Sequence, residues 1–320
     1  MILAGIDEAG YGPRLGPLVV ALSVFRSAHP ARLAHPAHPA GEGWPRMKVF
    51  KGKGPVAVGD SKAIYSGGDG LGALERTVFG FAASIAAPPA RVSEYVARYI
   101  YDGGAEALSR DWYRWTDPEL PREPQAGDIS ALGGEVRAAL AANDLEYLQT
   151  AVSLVDEVRY NDMLVVEENK STLLFGRNAK LMRRLWEEFG HEGIYLTCDR
   201  HGGRKFYAGL LDVAFPRAQI NILLETEDES AYRLSDGDGR EMRVRFKVRA
   251  EEADGATALS SMWAKYTREI FMRIFNDYWV ARAGLRPTAG YWVDGERFLA
   301  DLRAAAVVSD AVIDSITRWK

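Results

Sequence analysis

Cysteine is nearly absent: Cys198 is the single example in 320 residues. No disulfide can form within the chain, which excludes a disulfide-stapled secreted scaffold. Histidine is scarce, with five in all, and His29, His35 and His38 fall in one Ala/His/Pro-biased stretch, "SAHPARLAHPAHPAGEGWP", at 27–45. Repeated His-Pro in such a background reads as an extended surface loop rather than a metal site. With no Cys/His clusters elsewhere, a structural zinc motif is not expected. No apolar run approaches 18 residues, so no membrane span is expected. The N-terminus has no basic region followed by a long apolar core, so the expected location is the cytoplasm. There is no Walker loop and no G-x-G-x-x-G, which removes the usual support for a nucleotide cofactor. Positive charge is not in excess: 40 Lys and Arg face 44 Asp and Glu, for a net charge of −4. That weighs against a pure nucleic-acid-binding module more than against a nuclease, whose metal site needs acids.

Against these absences stand a 47% hydrophobic and 11% aromatic composition, enough for a sizeable core in one large domain. Residues 2–8 and 17–26 read as two strands joined by the Gly/Pro-rich "AGYGPRLG". Helical spacing runs over 71–86. Two helices are expected near 91–101 and 131–142, within a stretch (88–145) that reads as an inserted subdomain. There "RDWYRWTD" offers Trp112, Tyr113 and Trp115, either as core packing or as base-stacking groups. A strand is expected at 151–160 and an amphipathic helix at 170–190. Another strand covers 193–199, and 219–252 reads as a hairpin turning at "DGDG". The tail from 256 to 320 is helical, with elements at about 257–280, 294–305 and 308–318. Strands and helices alternate in one chain, so the class is α/β.

Two of these strands finish in acids, at Asp7/Glu8 and at Asp199. In open α/β sheets, sites lie beyond the carboxyl ends of the strands. Adjacent strands are only about 4.7–4.9 Å apart, so such acids can converge on one divalent cation. The plain alternative is that the Asp-Glu pair ends a strand in a solvated turn. A further acid, Glu269, sits on a helix whose Ala258, Ser260, Ser261 and Ala264 permit close approach to a sheet. Lys265 and Glu269 also read simply as an exposed i,i+4 ion pair. Clustered carboxylates suit Mg²⁺ or Mn²⁺, and two such ions can clamp a phosphodiester undergoing hydrolysis.

Five segments, in order, resemble the type 2 ribonucleases H, which include ribonuclease HII and HIII. They are "GIDEAGYGPRLGPLVV" (5–20), "DSK" (60–62), "YNDMLVVEENKS" (160–171), "YLTCDRHGG" (195–203) and "SSMWAKYTRE" (260–269). The resemblance implies a ribonuclease H-like fold, a mixed sheet of about five strands flanked by helices, forming a single catalytic domain over 1–320. The segments 27–57, 88–145 and 219–252 would be additions. It implies metal-dependent hydrolysis of the RNA strand of RNA–DNA hybrids, with 3′-hydroxyl and 5′-phosphate products and the hybrid as partner. Carried over by position, Asp7, Glu8, Asp199 and Glu269 would hold Mg²⁺ or Mn²⁺. Gly10, Tyr11 and Gly12 occupy the family's Gly-Arg-Gly loop, which reads the 2′-hydroxyl that separates RNA from DNA. Ser61 and Lys62 would approach substrate phosphates, as would Lys265 and Arg268.

Two positions depart from the pattern. Tyr11 replaces an arginine and so loses a charged bidentate donor, and Glu269 stands where ribonuclease HII has aspartate. No N-terminal domain of the HIII kind is expected before the first strand. The expected assembly is a monomer. Alternatives are a member of the fold that binds nucleic acid without cleaving it, or a nuclease of the same fold with another substrate.

Overall fold

The computed structural model describes residues 1–28, 34–35, 44–45, 56–66, 70–123, 127–167 and 169–319. Most of the 27–57 stretch, with its histidines, lies outside the described residues; a two-residue pairing of Ala34–His35 with Trp44–Pro45 is seen there.

The chain starts in the middle of its sheet. Strand β1 (Ile2–Ala9) pairs antiparallel with β2 (Leu18–Ser27), from Ile2 opposite Arg26 to Ala9 opposite Val19. Later come β3 (Ile100–Asp102), β4 (Leu145–Val155), β5 (Ile194–Asp199), β6 (Gln219–Glu225), β7 (Glu229–Ser235) and β8 (Glu241–Lys247). They form one mixed sheet in the order β3-β4-β2-β1-β5-β8-β7-β6. The α/β class is as expected, but the sheet has eight strands rather than about five. Part of the difference lies at 219–252, where the expected hairpin is a three-stranded meander. Its last strand, β8, lies parallel against β5 in the body of the sheet. The extra turn was inconspicuous because Thr226, not glycine, closes it: its N–H and hydroxyl both donate to the Glu229 carbonyl, at 2.8 and 2.9 Å. The strand expected at 151–160 instead begins at Leu145 and stops at Val155. Asp156 then accepts from the N–H groups of Val158 and Arg159 and starts a helix, a capping preference of short acidic side chains.

Helices cover both faces. In chain order they include α1 (Ser61–Ser66), α2 (Leu71–Ile85), α3 (Val92–Tyr99), α4 (Ile129–Ala141), α5 (Glu157–Glu167) and α6 (Lys170–Phe189). Then follow α7 (Ala250–Ala253), α8 (Gly255–Ala283), α9 (Trp292–Ala305) and α10 (Asp310–Ile316). Strand alternation divides the core. Leu3, Val19 and Phe25 face α2, α3, α4 and α8, whereas Ile2, Ala4, Ile6 and Val20 face α6. Trp112 and Tyr113 are buried in the first of these cores. None of the described helices is long and apolar enough to cross a membrane.

The contact that places the site is the crossing of α8 over β1. A Cβ on Gly5 would lie 2.1 Å from the Thr257 nitrogen, so only glycine lets the helix come this close. Ser260 Oγ donates to the Gly5 carbonyl at 2.8 Å. The small residues of α8 thus do the job their spacing predicts. Asp254 caps the helix, accepting from the N–H groups of Ala256 and Thr257, both at 3.0 Å.

A candidate metal centre at the carboxyl ends of the central strands

Strands β1 and β5 run parallel with Ile6 opposite Cys198. Their carboxyl ends therefore coincide, and the next residue on each is an aspartate. Ligand atoms of Asp7, Glu8 and Asp199 all lie within 4.8 Å of one another. Alternation would send Asp7 and Glu8 to opposite faces. The Asp7 carboxylate instead folds along the strand and accepts from the Glu8 N–H at 2.7 Å. Asp199 is held by the Ala250 N–H, which donates to it at 3.1 Å. The same short helix, α7, brings Glu251 to the cleft.

The cleft encloses about 200 Å³ and is bordered by Asp60, Ser61, Lys62, Glu251 and Tyr291 in addition to the three acids. Its electrostatics are those of crowded carboxylates. Burial pushes Asp7 well above the usual carboxylate range, and Glu8, Asp199 and Glu251 add to the shift. Burial and Asp199 raise Glu8 to about 8, against the opposing pull of Lys62. Asp199 and Glu251 are also raised, first by burial. Like charges in a partly desolvated site favour protonation unless a cation compensates them. The donors are all carboxylate oxygens, the set that hard divalent cations take, so the residues present fit Mg²⁺ or Mn²⁺.

Beside the acids runs the loop Gly10–Pro17. Gly10 has φ +84° and Gly16 φ +83°, a left-handed backbone that glycine adopts without strain. Gly12, by contrast, has open space where a Cβ would stand. Three buried groups hold the loop. Glu157 accepts from the Gly16 N–H at 3.0 Å. Arg268 donates to the carbonyls of Leu15 and Ala289. Arg318, 1% exposed, donates to the carbonyls of Gly10 and Tyr11 while lying 3.9 Å over the Tyr160 ring. Tyr11 itself is half-buried at the border of the acidic cleft.

The structure gathers Asp7, Glu8, Asp199, Gly10, Tyr11, Gly12, Ser61, Lys62, Lys265 and Arg268 around one cleft. It does not bring Glu269 into the acid cluster. Glu269 accepts from Lys265 Nζ at 2.6 Å and from the Tyr65 hydroxyl at 3.0 Å. The reason is helical geometry: at about 3.6 residues per turn, Ser261, Lys265 and Arg268 share one face of α8, and Glu269 is turned about 100° away from Arg268, toward Tyr65 of α1. Lys265 also sits 4.4 Å over the Tyr65 ring, so its ammonium is engaged by α8 and α1. Arg268 is 1% exposed and bonded to backbone carbonyls. Ser61 is buried too, its hydroxyl 2.8 Å from that of Ser261, whereas Lys62 is exposed beside the acids.

Sequence reading missed Glu251, Tyr291 and Arg318. Glu251 lay inside what read as a hairpin, although an acidic pair directly after a strand was the available signal. Tyr291 follows Gly290, whose φ of +78° and close approach to Leu15 dock that segment on the loop. Nothing local marks Arg318; its role comes from a contact spanning nearly the whole chain.

No protein-family model matches this chain, and no curated protein does. Solved structures are similar over almost its full length. One is ribonuclease HII of Archaeoglobus fulgidus, in a structure of the PCNA:RNase HII complex: 15% identity and TM-score 0.44, covering 100% of this chain and 96% of that one. Another is ribonuclease H2 of Pyrococcus horikoshii OT3: 14% identity and TM-score 0.45, covering 100% and 94%. A third is Bst-RNase HIII in complex with Mn²⁺: 15% identity and TM-score 0.41, covering 99% and 66%. These are structures of ribonucleases HII and HIII, the kinds that the sequence segments resemble.

Proposed function

We propose that this protein is a divergent type 2 ribonuclease H that hydrolyses the RNA strand of RNA–DNA hybrids with Mg²⁺ or Mn²⁺. The observation that carries the reading is the convergence of Asp7, Glu8 and Asp199 within 4.8 Å at the ends of two parallel strands. The five sequence segments supply the substrate class. In this reading Asp7, Glu8, Asp199 and Glu251 hold the metal. Bound there, divalent cations activate a water and stabilise charge on the scissile phosphate.

The rest is positioning by the chain's own groups. Lys62, exposed beside the acids, offsets part of their charge and meets an incoming phosphate. The Gly10–Gly12 loop, held from behind by Arg318 and Arg268, presents its backbone to the sugar edge, and Tyr11 offers a phenol where the family has a guanidinium. A neutral hydroxyl forms weaker bonds to a 2′-hydroxyl or phosphate than an arginine does, so a duplex with one embedded ribonucleotide is expected to be a poorer substrate than a hybrid.

The test is incubation with labelled RNA–DNA hybrid, a DNA duplex bearing one ribonucleotide, and all-DNA duplex. Each is run with Mg²⁺, Mn²⁺ or chelator, beside Asp7→Asn. Metal-dependent hybrid cleavage that disappears in the variant supports the proposal. A folded protein that cleaves none of the three overturns it.

A further inference from the structure

A second groove, of about 390 Å³, opens on the other side of Tyr11, which borders both it and the acidic cleft. It is bordered by Ser171, His201, Gly202, Arg204 and Lys205. Three features point to an anion. Ser171 lies in the first turn of α6, a 20-residue helix whose N-terminus is capped by Asn169; such an end favours negative charge. Arg204 is fixed there, its Nε donating to Ser171 Oγ at 2.8 Å and its NH2 to Thr172 Oγ1 at 3.3 Å. His201, 1% exposed, borders the groove with no partner for either ring nitrogen among the described residues. Buried polar atoms are nearly always satisfied, so an imidazole left so at a groove wall marks a place for a ligand. Among the described residues, no carboxylate borders the groove.

We propose that this groove is a subsite for a backbone phosphate of the bound nucleic acid, lying beyond Tyr11 from the acids and held by Arg204, Ser171 and the start of α6. The inference rests on the nuclease reading above: a strand lying with one phosphate at the acids crosses Tyr11 and brings a neighbouring phosphate to Arg204. Arg204 then positions the strand without touching the reacting atoms.

The test measures binding of a labelled RNA–DNA hybrid to the full chain with Ca²⁺ in place of Mg²⁺, across a salt series. The proteins are wild type, Arg204→Ala and Arg204→Lys, each checked by circular dichroism and melting. Losing one phosphate contact flattens the dependence of log affinity on log salt by about 0.9. Arg204→Ala is expected to show that change and a raised Kd for the hybrid, and Arg204→Lys to recover most of both. Hybrids carrying a single uncharged methylphosphonate, moved one position at a time, are expected to reveal one position where wild type and Arg204→Ala bind alike. An unchanged salt slope in folded Arg204→Ala, or no such position, overturns the subsite while leaving the nuclease reading intact. A saturable rise in melting temperature of the free protein with inorganic phosphate, lost in Arg204→Ala but with no sensitive backbone position, would also overturn it, marking a site for free anions. A wild type with no affinity for hybrid overturns the nuclease reading, and the subsite with it.

Discussion

Asp102 and Asp7 are equally buried, each 7% exposed, and each lies in the C-terminal part of a strand of the same sheet. Their surroundings are opposite. Around Asp102 stand Lys180 at 2.6 Å, Arg159 at 2.9 Å, Arg177 at 3.2 Å and the Ser153 hydroxyl at 2.8 Å. Burial alone would raise its carboxyl, but the bonds from Lys180, Arg159 and Ser153 outweigh it and hold the group well below the usual carboxylate range. Around Asp7 stand Glu8, Asp199 and Glu251, and every one of them raises it further. The chain thus sets three cations against Asp102 and, among the described residues, none within ion-pair distance of Asp7, although Lys62, Lys265 and Arg268 border its cleft. A charge cluster that is fully compensated from within serves stability; one that is not is completed from outside the chain. That contrast is the physical case for a cation site at Asp7.

Asp102→Asn breaks the contrast from the stable side and has the largest expected effect. Removing one partner from a buried pair costs about 3–5 kcal/mol, here by leaving Arg159, Arg177 and Lys180 uncompensated. Urea denaturation should show the loss, with hybrid cleavage retained by the molecules that remain folded; a loss below about 1 kcal/mol would mean the cluster is solvated.

Asp7→Asn attacks the other side. Losing a direct ligand is expected to exceed the roughly 100-fold upper range seen when outer-shell partners are removed. It should not destabilise the metal-free protein, because burial and the neighbouring acids already favour the uncharged form of Asp7, which asparagine resembles in size and charge. Cleavage rates and melting curves in chelator check the two halves. A variant that keeps full activity would remove Asp7 from the site.

Glu251→Gln against Glu269→Gln sharpens the assignment of the fourth acid. Glu251→Gln, which removes a ligand in this reading, is expected to cut metal-dependent cleavage by more than the roughly 100-fold upper range of outer-shell changes. Glu269→Gln should cost no more than the few tenths to about 1 kcal/mol of a side-chain ion pair. The reverse order would return Glu269 to the metal site.

A further test of the contrast is in pH. Glu8, raised to about 8 in the folded chain, holds its proton there while the unfolded chain releases its own near the ordinary value of 4.5. The folded state thus binds more protons between those values, and metal-free stability should fall as pH rises from about 4.5 to 8. Asp102 has the opposite sign: its stabilisation is present above the ordinary carboxylate value of 3.8 and is lost as pH falls below it. Mg²⁺ should therefore raise the melting temperature more at pH 8 than at pH 5. An equal rise at both would show that the acids do not bind it together.

The α/β class, both parallel strands with terminal acids, the small-residue face of α8 and most helices were legible because strand alternation, helical spacing and Gly/Pro turns are local. The cleft's three acids were legible for the same reason, each closing an apolar run. The sequence alone also marked Gly10 and Tyr11, through a turn that glycine makes possible. Three-dimensional packing decided the rest. It set the β1–β5 register that makes Asp7 and Asp199 neighbours, the parallel pairing of β8 in the body of the sheet, and the placing of Glu251 at the cleft and of Glu269 against Lys265 and Tyr65. The place of Glu251 depends on the short helix that begins at Ala250 and that of Glu269 on which face of α8 it occupies, and neither is visible in residue types. Arg318 shows the limit most plainly: it grips Gly10 from 308 residues away, a pairing that only chain closure creates.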